Sequence, residues 1–80
     1  MKTIVFSTAA ARDLDRLPDQ ARNQITEGLV SYAVSGNGDV KKLKGRDGYR
    51  LRIGEYRVLF DEDMTTILAV YIGRRTSTTY

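Results

Sequence analysis

Three arginines in the second half of the chain have the residue type and the spacing needed to hold a phosphate group. Arg50 and Arg52 lie two residues apart in the alternating stretch 49–53, so both side chains point to the same side of a strand. A tight turn at residues 54–55 pairs this strand with the next one and brings Arg57 close to them. Guanidinium groups are forked donors that stay charged at neutral pH. The pattern therefore predicts a site that binds a backbone phosphate and stabilises charge developing on it.

These arginines belong to a basic window that accounts for the charge of the whole chain. Residues 41–57 contain seven Lys/Arg and two acidic residues, a local charge of +5, whereas residues 1–40 and residues 58–80 each sum to −1. A pI near 9.4 favours an anionic partner, and arginines in a row on a strand indicate nucleic acid. The alternative is an ordinary solvated strand face with cross-strand pairs to Glu55 or Asp61.

Other basic and aromatic residues extend the candidate site on both sides. Lys41, Lys42 and Lys44 precede the strand, where such a run either makes non-specific phosphate contacts or is a solvated loop. Arg74 and Arg75 follow the last apolar stretch, so a rigid element fixes their position. The final residue of the chain, a tyrosine, is a candidate for base stacking or proton transfer, and its alternative is a frayed terminus without a role.

The amino-acid composition excludes several classes of functional site. The chain has no cysteine and no histidine, so we expect no disulfide, no thiolate nucleophile, no zinc site and no cofactor. The acidic residues of the stretch 61–63 are interpreted as a solvated turn. No apolar run approaches 18 residues, and the apolar stretch near the N-terminus is too short for a signal peptide. We therefore expect a cytoplasmic protein that does not bind membranes.

Periodicity predicts an α+β fold with the element order β-α-α-β-β-β in a single domain, residues 1–80. Ser7 or Thr8 is the candidate N-cap of the first helix, and Pro18 ends that helix or begins the next. The expected elements are a strand at 2–6, helices at 9–17 and 19–33, a polar connection at 39–47, strands at 49–53, 56–60 and 65–72, and a tail from residue 74.

These elements predict a small, mainly antiparallel sheet with a helical hairpin packed on one face. The other face would stay partly open and carry Arg50, Arg52 and Arg57. The strand 65–72 is apolar on both sides, which is typical of a central strand covered on both faces. Tyr49 and Tyr56 are assigned to the core side.

The order of these pieces resembles a known family. The run KLKGRDGYRLRIGEYRVLF, an apolar strand ending in IGRR, a terminal tyrosine and an N-terminal helix of the form FSxxAxRDLxxLP together resemble the RelE/ParE toxins of type II toxin–antitoxin systems. The resemblance covers essentially all 80 residues. It implies a RelE-like fold, which agrees with the fold expected from periodicity.

The RelE branch of the family implies a ribosome-dependent endoribonuclease that cuts mRNA without a metal and so inhibits translation. Basic residues on the sheet hold the scissile phosphate while the neighbouring 2′-hydroxyl attacks it. The resemblance places this role on Arg50, Arg52, Arg57, Arg75 and Tyr80. The expected RNA-binding residues are Lys41, Lys42 and Lys44 of the basic run, together with Arg74. It also implies a cognate antitoxin, an acidic or amphipathic segment that covers the helical hairpin or the arginine face.

Two departures from the family pattern bear on the chemistry. Some members carry a histidine near the end, which has no counterpart here, and the strand positions hold arginine rather than lysine. Arginine stabilises charge but accepts protons poorly, so Tyr80 or a ribosomal group would have to move protons. Two alternatives stay open: a ParE-like inhibitor that binds DNA gyrase without cleaving, and a binding module with a merely basic face.

Overall fold

A computed structural model describes residues 1–74 of the chain, in which two helices pack on one face of a five-stranded sheet. The elements, in chain order, are β1 (Thr3–Phe6), α1 (Thr8–Asp15), α2 (Asp19–Ser35), β2 (Asp39–Lys42), β3 (Tyr49–Ile53), β4 (Tyr56–Glu62) and β5 (Thr66–Arg74). The α+β fold with a helical hairpin over a mainly antiparallel sheet is therefore confirmed.

The sheet has the strand order β1-β5-β4-β3-β2. Strands β2 to β5 form an antiparallel meander, and β1 adds to β5 in parallel, which the intervening helices make possible. The fifth strand was not expected: β2 lies within the stretch 39–47 that the sequence indicated as a polar connection. Its alternation is hidden because an edge strand exposes charged side chains on both of its faces, as Asp39, Lys41 and Lys42 do.

The start of α1 and both ends of α2 coincide with local signals that the sequence contains. The Ser7 hydroxyl caps α1 by accepting a hydrogen bond from the backbone N–H of Ala10 at 3.1 Å. Pro18 is the N-cap of α2, and Gly36 ends that helix in the left-handed region with φ of 77°. These caps fix the hairpin over the sheet.

The core lies between the helices and one sheet face. It is built from small and branched side chains of the helices and alternate residues of the strands, with Phe60 at its centre, 1% exposed. Tyr32 of α2 meets Phe60 edge to face at 5.4 Å, and Tyr49 stacks on it at 5.6 Å. Tyr56 is buried as well, so the assignment of Tyr49 and Tyr56 to the core side is confirmed.

Strand β5 differs from its expected form in two ways. It is central, between β1 and β4, but the helices cover only one of its faces: Leu68 and Tyr71 on the other face are 36% and 37% exposed. The strand also continues through Gly73 to Arg74 instead of breaking there. Glycine is tolerated at this point because Gly73 still pairs with Arg57 of β4.

Close contact between α2 and β3 depends on a glycine in the middle of the helix. A Cβ atom added at Gly28 would lie 2.6 Å from Cδ1 and 2.8 Å from Cγ1 of Ile53, well inside van der Waals contact. Ile53 is itself 9% exposed and has little room to move. The glycine therefore sets how closely the helix approaches the sheet.

A partly buried network of side-chain hydrogen bonds joins the start of the chain, α2 and the end of β4. The Glu62 carboxylate accepts hydrogen bonds from the Lys2 ammonium at 2.5 Å and from the Tyr32 hydroxyl at 2.6 Å. Burial, assisted by the adjacent carboxylate, raises the pKa of Tyr32 to about 12. Burial also opposes ionisation of Glu62, but the hydrogen bonds from Lys2 and Tyr32 and the charge of Lys2 outweigh it and lower the pKa of Glu62. Glu62 is thus a structural residue and not part of a solvated turn.

No helix in the described residues is long and apolar enough to cross a membrane.

Substituting Gly28 with alanine should destabilise the fold by about 1–3 kcal/mol, even though alanine favours a helix, because the new methyl group overlaps the Ile53 side chain. Urea unfolding of Gly28→Ala, Ile53→Ala and the double variant measures the coupling. We expect the double variant to be more stable than the sum of the single effects predicts, and strict additivity would rule out the steric explanation.

Glu62→Gln should lower the free energy of unfolding at pH 7 by about 1–2 kcal/mol, since it removes a charged hydrogen-bond acceptor from Lys2 and Tyr32. The folded-state pKa of Glu62 lies below its ordinary value of 4.5, so this stabilisation is fully present above pH 4.5 and is lost as the pH falls through the folded-state pKa. The gap between wild type and variant should therefore close on acidification. Urea unfolding from pH 7 to pH 3 checks this, and a constant gap would contradict it.

Candidate functional site

The sheet face opposite the helices brings together the three arginines singled out by spacing. In the pairing of β3 with β4, Arg52 lies directly opposite Arg57, and Arg50 lies opposite Leu59. Residues opposite each other in an antiparallel pair point to the same side, so all four side chains share one face. We call this side of the sheet the arginine face. Lys41 joins it from β2, where it pairs with Arg50.

Arg57 is much less accessible than an open face implies. Its residue surface is 6% exposed, whereas Arg50 and Arg52 are half-buried. The difference follows from position: Arg57 lies on an inner strand between Arg52 on one side and Gly73 on the other. The expectation that the open part of this face carries all three arginines is therefore wrong for Arg57.

A cavity of about 420 Å³ opens on the arginine face beside Arg50 and Arg52. Its remaining lining comes from residues of β2, the following loop and β4: Lys41, Lys42, Leu43, Lys44, Arg46 and Leu59. Six basic side chains thus surround a floor that contains Leu59, which is 7% exposed. Arg50 Nε is a buried donor without a hydrogen-bond partner in the described part of the chain, so its capacity for a hydrogen bond is unused there.

The electrostatics of this cavity favour an anion with several acceptor oxygens. Six positive charges around one depression attract polyanions from a distance, and their forked or mobile donors match phosphate oxygens. No group of three or more His, Cys, Asp or Glu in residues 1–74 has the arrangement needed to hold a metal ion. The cationic side chains around the cavity are suited to a phosphate group.

The remaining predicted site residues lie elsewhere. Arg74 pairs with Tyr56 across the strands, so it belongs to the helix side of the sheet; its guanidinium lies 5.7 Å from the Tyr56 ring and 3.2 Å from a Glu55 oxygen. Lys42 pairs with Tyr49 on that same side, although it borders the cavity from the sheet edge. The predictions for Arg75 and Tyr80 lie outside the described residues.

Arg46 and Tyr71 belong to this region but were not identified from the sequence. Arg46 lines the cavity, and the only signal for it was its place inside the +5 window. Tyr71 of β5 lies opposite Leu59 and so faces the same side. Simple alternation along β5 assigns Tyr71 to the other face, because the register shift in this strand cannot be predicted from the residue types.

The sequence from residue 4 to residue 77 matches the family described as ParE toxin of type II toxin–antitoxin system, parDE. The chain belongs to this family. It is therefore a toxin of a type II toxin–antitoxin system, as its motifs indicated. A search of curated protein sequences found no match.

Solved structures of related toxins share the fold. The toxin aligns with a chain of the archaeal RelE–RelB complex from Pyrococcus horikoshii OT3 with a TM-score of 0.79 at 22% identity, covering 96% of this chain and 98% of the other. For the complex RelBE2 from Mycobacterium tuberculosis the TM-score is 0.72 at 28% identity, with coverages of 92% and 98%. For the YoeB dimer from Staphylococcus aureus it is 0.68 at 29% identity, with coverages of 86% and 91%.

Burial predicts that Arg52 and Arg57 of the toxin respond differently to truncation. Arg57→Ala should lower the free energy of unfolding by about 1–3 kcal/mol because it empties a packed position, whereas Arg52→Ala should change it by no more than about 0.5 kcal/mol. Urea unfolding of both variants at one pH and salt concentration measures the difference. Equal effects would contradict the burial difference, and Arg52 is consequently the cleaner position for functional tests.

Proposed function

We propose that this toxin is a ribosome-dependent endoribonuclease that cleaves mRNA and thereby inhibits translation. The observation that carries the proposal is the arginine face itself: Arg50, Arg52 and Arg57 share one face of adjacent strands, and Arg50 and Arg52 line a cavity ringed by cationic side chains. A binding module would need charge on its surface but not this convergence. The proposal also agrees with the fold shared with RelE toxins.

The geometry suits a single-stranded backbone better than a flat duplex surface. Neighbouring strands are about 4.8 Å apart, so the step from Arg52 on β3 to Arg57 on β4 is shorter than one nucleotide. Arg52 therefore contacts the phosphate directly, and the buried Arg57, 6% exposed, stabilises the same phosphate through its charge. Lys41, Lys44 and Arg46 at the rim supply further contacts to flanking phosphates.

Cleavage in this proposal is an internal transfer at phosphorus. The 2′-hydroxyl oxygen bonds to the adjacent phosphorus, and the bond from phosphorus to the 5′-oxygen of the next nucleotide breaks. Negative charge accumulates on the non-bridging oxygens during this step, and arginines placed beforehand stabilise it without reorganising. The proton leaves the 2′-hydroxyl and another is delivered to the departing 5′-oxygen.

Arginine is a poor agent for those proton transfers, since a guanidinium does not deprotonate near neutral pH. The residues on the arginine face therefore bind and polarise the phosphate. A ribosomal group or Tyr80 is the proposed proton carrier, and Arg75 is proposed to complete the set of phosphate donors. Both residues are assigned by the family motif.

A cognate antitoxin is the proposed protein partner. The solved relatives from Pyrococcus horikoshii and Mycobacterium tuberculosis are toxin–antitoxin complexes. The toxin offers two surfaces that suit such a partner: the basic arginine face for acidic side chains, and an apolar strip on α2 with Val30 and Val34 at 41% and 58% exposure. An acidic or amphipathic segment fits either one.

Inhibition of DNA gyrase is the second candidate function. The observation that favours it is the match of residues 4–77 to the ParE toxin family. In that case the basic face would act in binding alone, and cleavage of RNA would not occur.

Mapping mRNA ends after induced expression separates the two functions. Under the proposal, wild type produces cuts at codon positions, and Arg52→Ala reduces cleavage on the order of a hundredfold because one phosphate donor is lost. Primer extension on a highly expressed mRNA gives the measurement. Arg16→Ala is the matched control, since Arg16 is an exposed arginine at the end of α1, away from the arginine face.

Each outcome identifies a function. Cuts that persist in Arg52→Ala at the wild-type level would remove the arginine face from the site. Growth arrest with DNA breaks and a supercoiling defect, and without cuts at codon positions, would favour gyrase inhibition. Harmless expression without a partner would indicate a binding module.

A further inference from the structure

Tyr71 places an aromatic side chain on the arginine face. Tyr71 is 37% exposed and lies on β5, opposite Leu59 of β4. The next residue on that face, Gly73, lies opposite Arg57. Tyr71 therefore borders the arginines on the side away from the cavity.

A β-bulge puts Tyr71 there. Phe60 pairs with Ala69 and Leu59 pairs with Tyr71, so Val70 is an extra residue without a direct partner on β4. Without this insertion the alternation from Ala69 would turn Tyr71 into the core and Ile72 out of it. Bulges of this kind re-aim side chains and are over-represented next to active sites.

The surroundings of the bulge hold it in place. The backbone carbonyl of Ala69 accepts from the Ser7 backbone N–H at 2.8 Å, at the N-cap of α1. The Ile72 backbone N–H donates to an Asp13 carboxylate oxygen at 3.2 Å. Pairing of β5 with β1 ends at Ala69, so this hydrogen bond replaces one that β1 no longer provides. Since α1 anchors both sides of the bulge, the position of Tyr71 is a fixed feature of the fold.

The Tyr71 ring folds back over Gly73. A Cβ atom added at Gly73 would collide with the Tyr71 hydroxyl and lie 2.7 Å from Cζ of the ring. The ring thus occupies the space that a side chain at residue 73 would take, directly across from Arg57. An aromatic ring in this place is partly exposed and adjacent to the proposed phosphate site.

From this geometry, and resting on the proposed action on RNA, we infer that Tyr71 stacks on a nucleobase of the bound strand. The phosphate lies over β3 and β4, and β5 is about one strand spacing farther, roughly 4.8 Å from β4. That step matches the reach from a phosphate to its own base or the next one. Stacking on an aromatic side chain accepts any base, so this subsite contributes affinity and register without sequence selection.

The chain contains no tryptophan, so a tryptophan introduced at residue 71 reports on this contact without background from other indoles. Tyr71→Trp introduces a single indole that keeps an aromatic ring at the site, and its fluorescence is quenched when a base stacks on it. The ligand is a six-nucleotide 2′-O-methyl RNA, which binds but lacks the 2′-hydroxyl needed for cleavage. Polyphosphate of comparable charge is the matched ligand without bases, and Val34→Trp on α2 is the matched reporter away from the arginine face.

We expect the oligonucleotide to quench the indole of the Tyr71→Trp variant while polyphosphate binds without quenching, and we expect Val34→Trp to be unaffected by either. Quenching by both ligands, or by neither, overturns the inference. Fluorescence anisotropy of a labelled oligonucleotide measures binding independently of quenching. We expect added salt and the substitution Arg52→Ala to weaken this binding. Binding without quenching overturns stacking and leaves the proposed function standing; absence of both binding and mRNA cuts overturns the two together.

A pair of further substitutions separates the ring from the hydroxyl. Tyr71→Phe should keep oligonucleotide affinity and mRNA cleavage near wild type, whereas Tyr71→Leu should weaken binding about tenfold, as loss of one stacked base predicts. If Tyr71→Phe loses as much as Tyr71→Leu, the hydroxyl and not the ring carries the role, and the inference is wrong. Urea unfolding of both variants confirms that the fold is intact.

Discussion

The register of β4 against β5 decides which side chains this toxin buries and which it presents. One extra residue, Val70, resets the alternation half-way along β5, so that Ile67 and Ala69 before the bulge and Ile72 after it all face the helices. A one-residue slip would exchange the two faces of the C-terminal half of this strand. The packing of α1 on the sheet and the composition of the arginine face therefore follow from the same local irregularity.

The arginine face combines charge with a partly apolar support. Leu59, 7% exposed on the side away from the helices, lies opposite Arg50 on one neighbouring strand and Tyr71 on the other. Long arginine side chains commonly pack their aliphatic stems on such surfaces and keep the charged ends toward solvent. Side chains held in this way lose less conformational freedom when they bind a ligand than freely solvated ones.

Much of this arrangement was predictable from the sequence. Alternation at 49–53 and the turn after it predicted that Arg50, Arg52 and Arg57 share a face, and the apolar spacing of α2 predicted its buried side. Strand β2 was not predicted because an edge strand lacks apolar alternation. The burial of Arg57 was not predicted because it depends on neighbours from two other strands. The bulge escaped for the same reason, since its cause is pairing between distant segments and not local propensity.

The charged edge strand has a consequence for assembly. Among residues 1–74, strand β2 is an edge strand with no further strand beside it, and its exposed residues include Asp39, Lys41 and Lys42. Open sheet edges are templates for adding a further strand, and lysines on an edge discourage a second copy of the same chain from doing so by charge repulsion. Two residues that line the cavity, Lys41 and Lys42, are thus also residues of a type that disfavours pairing of this edge with a further copy, whereas a segment rich in acidic residues would be attracted to them.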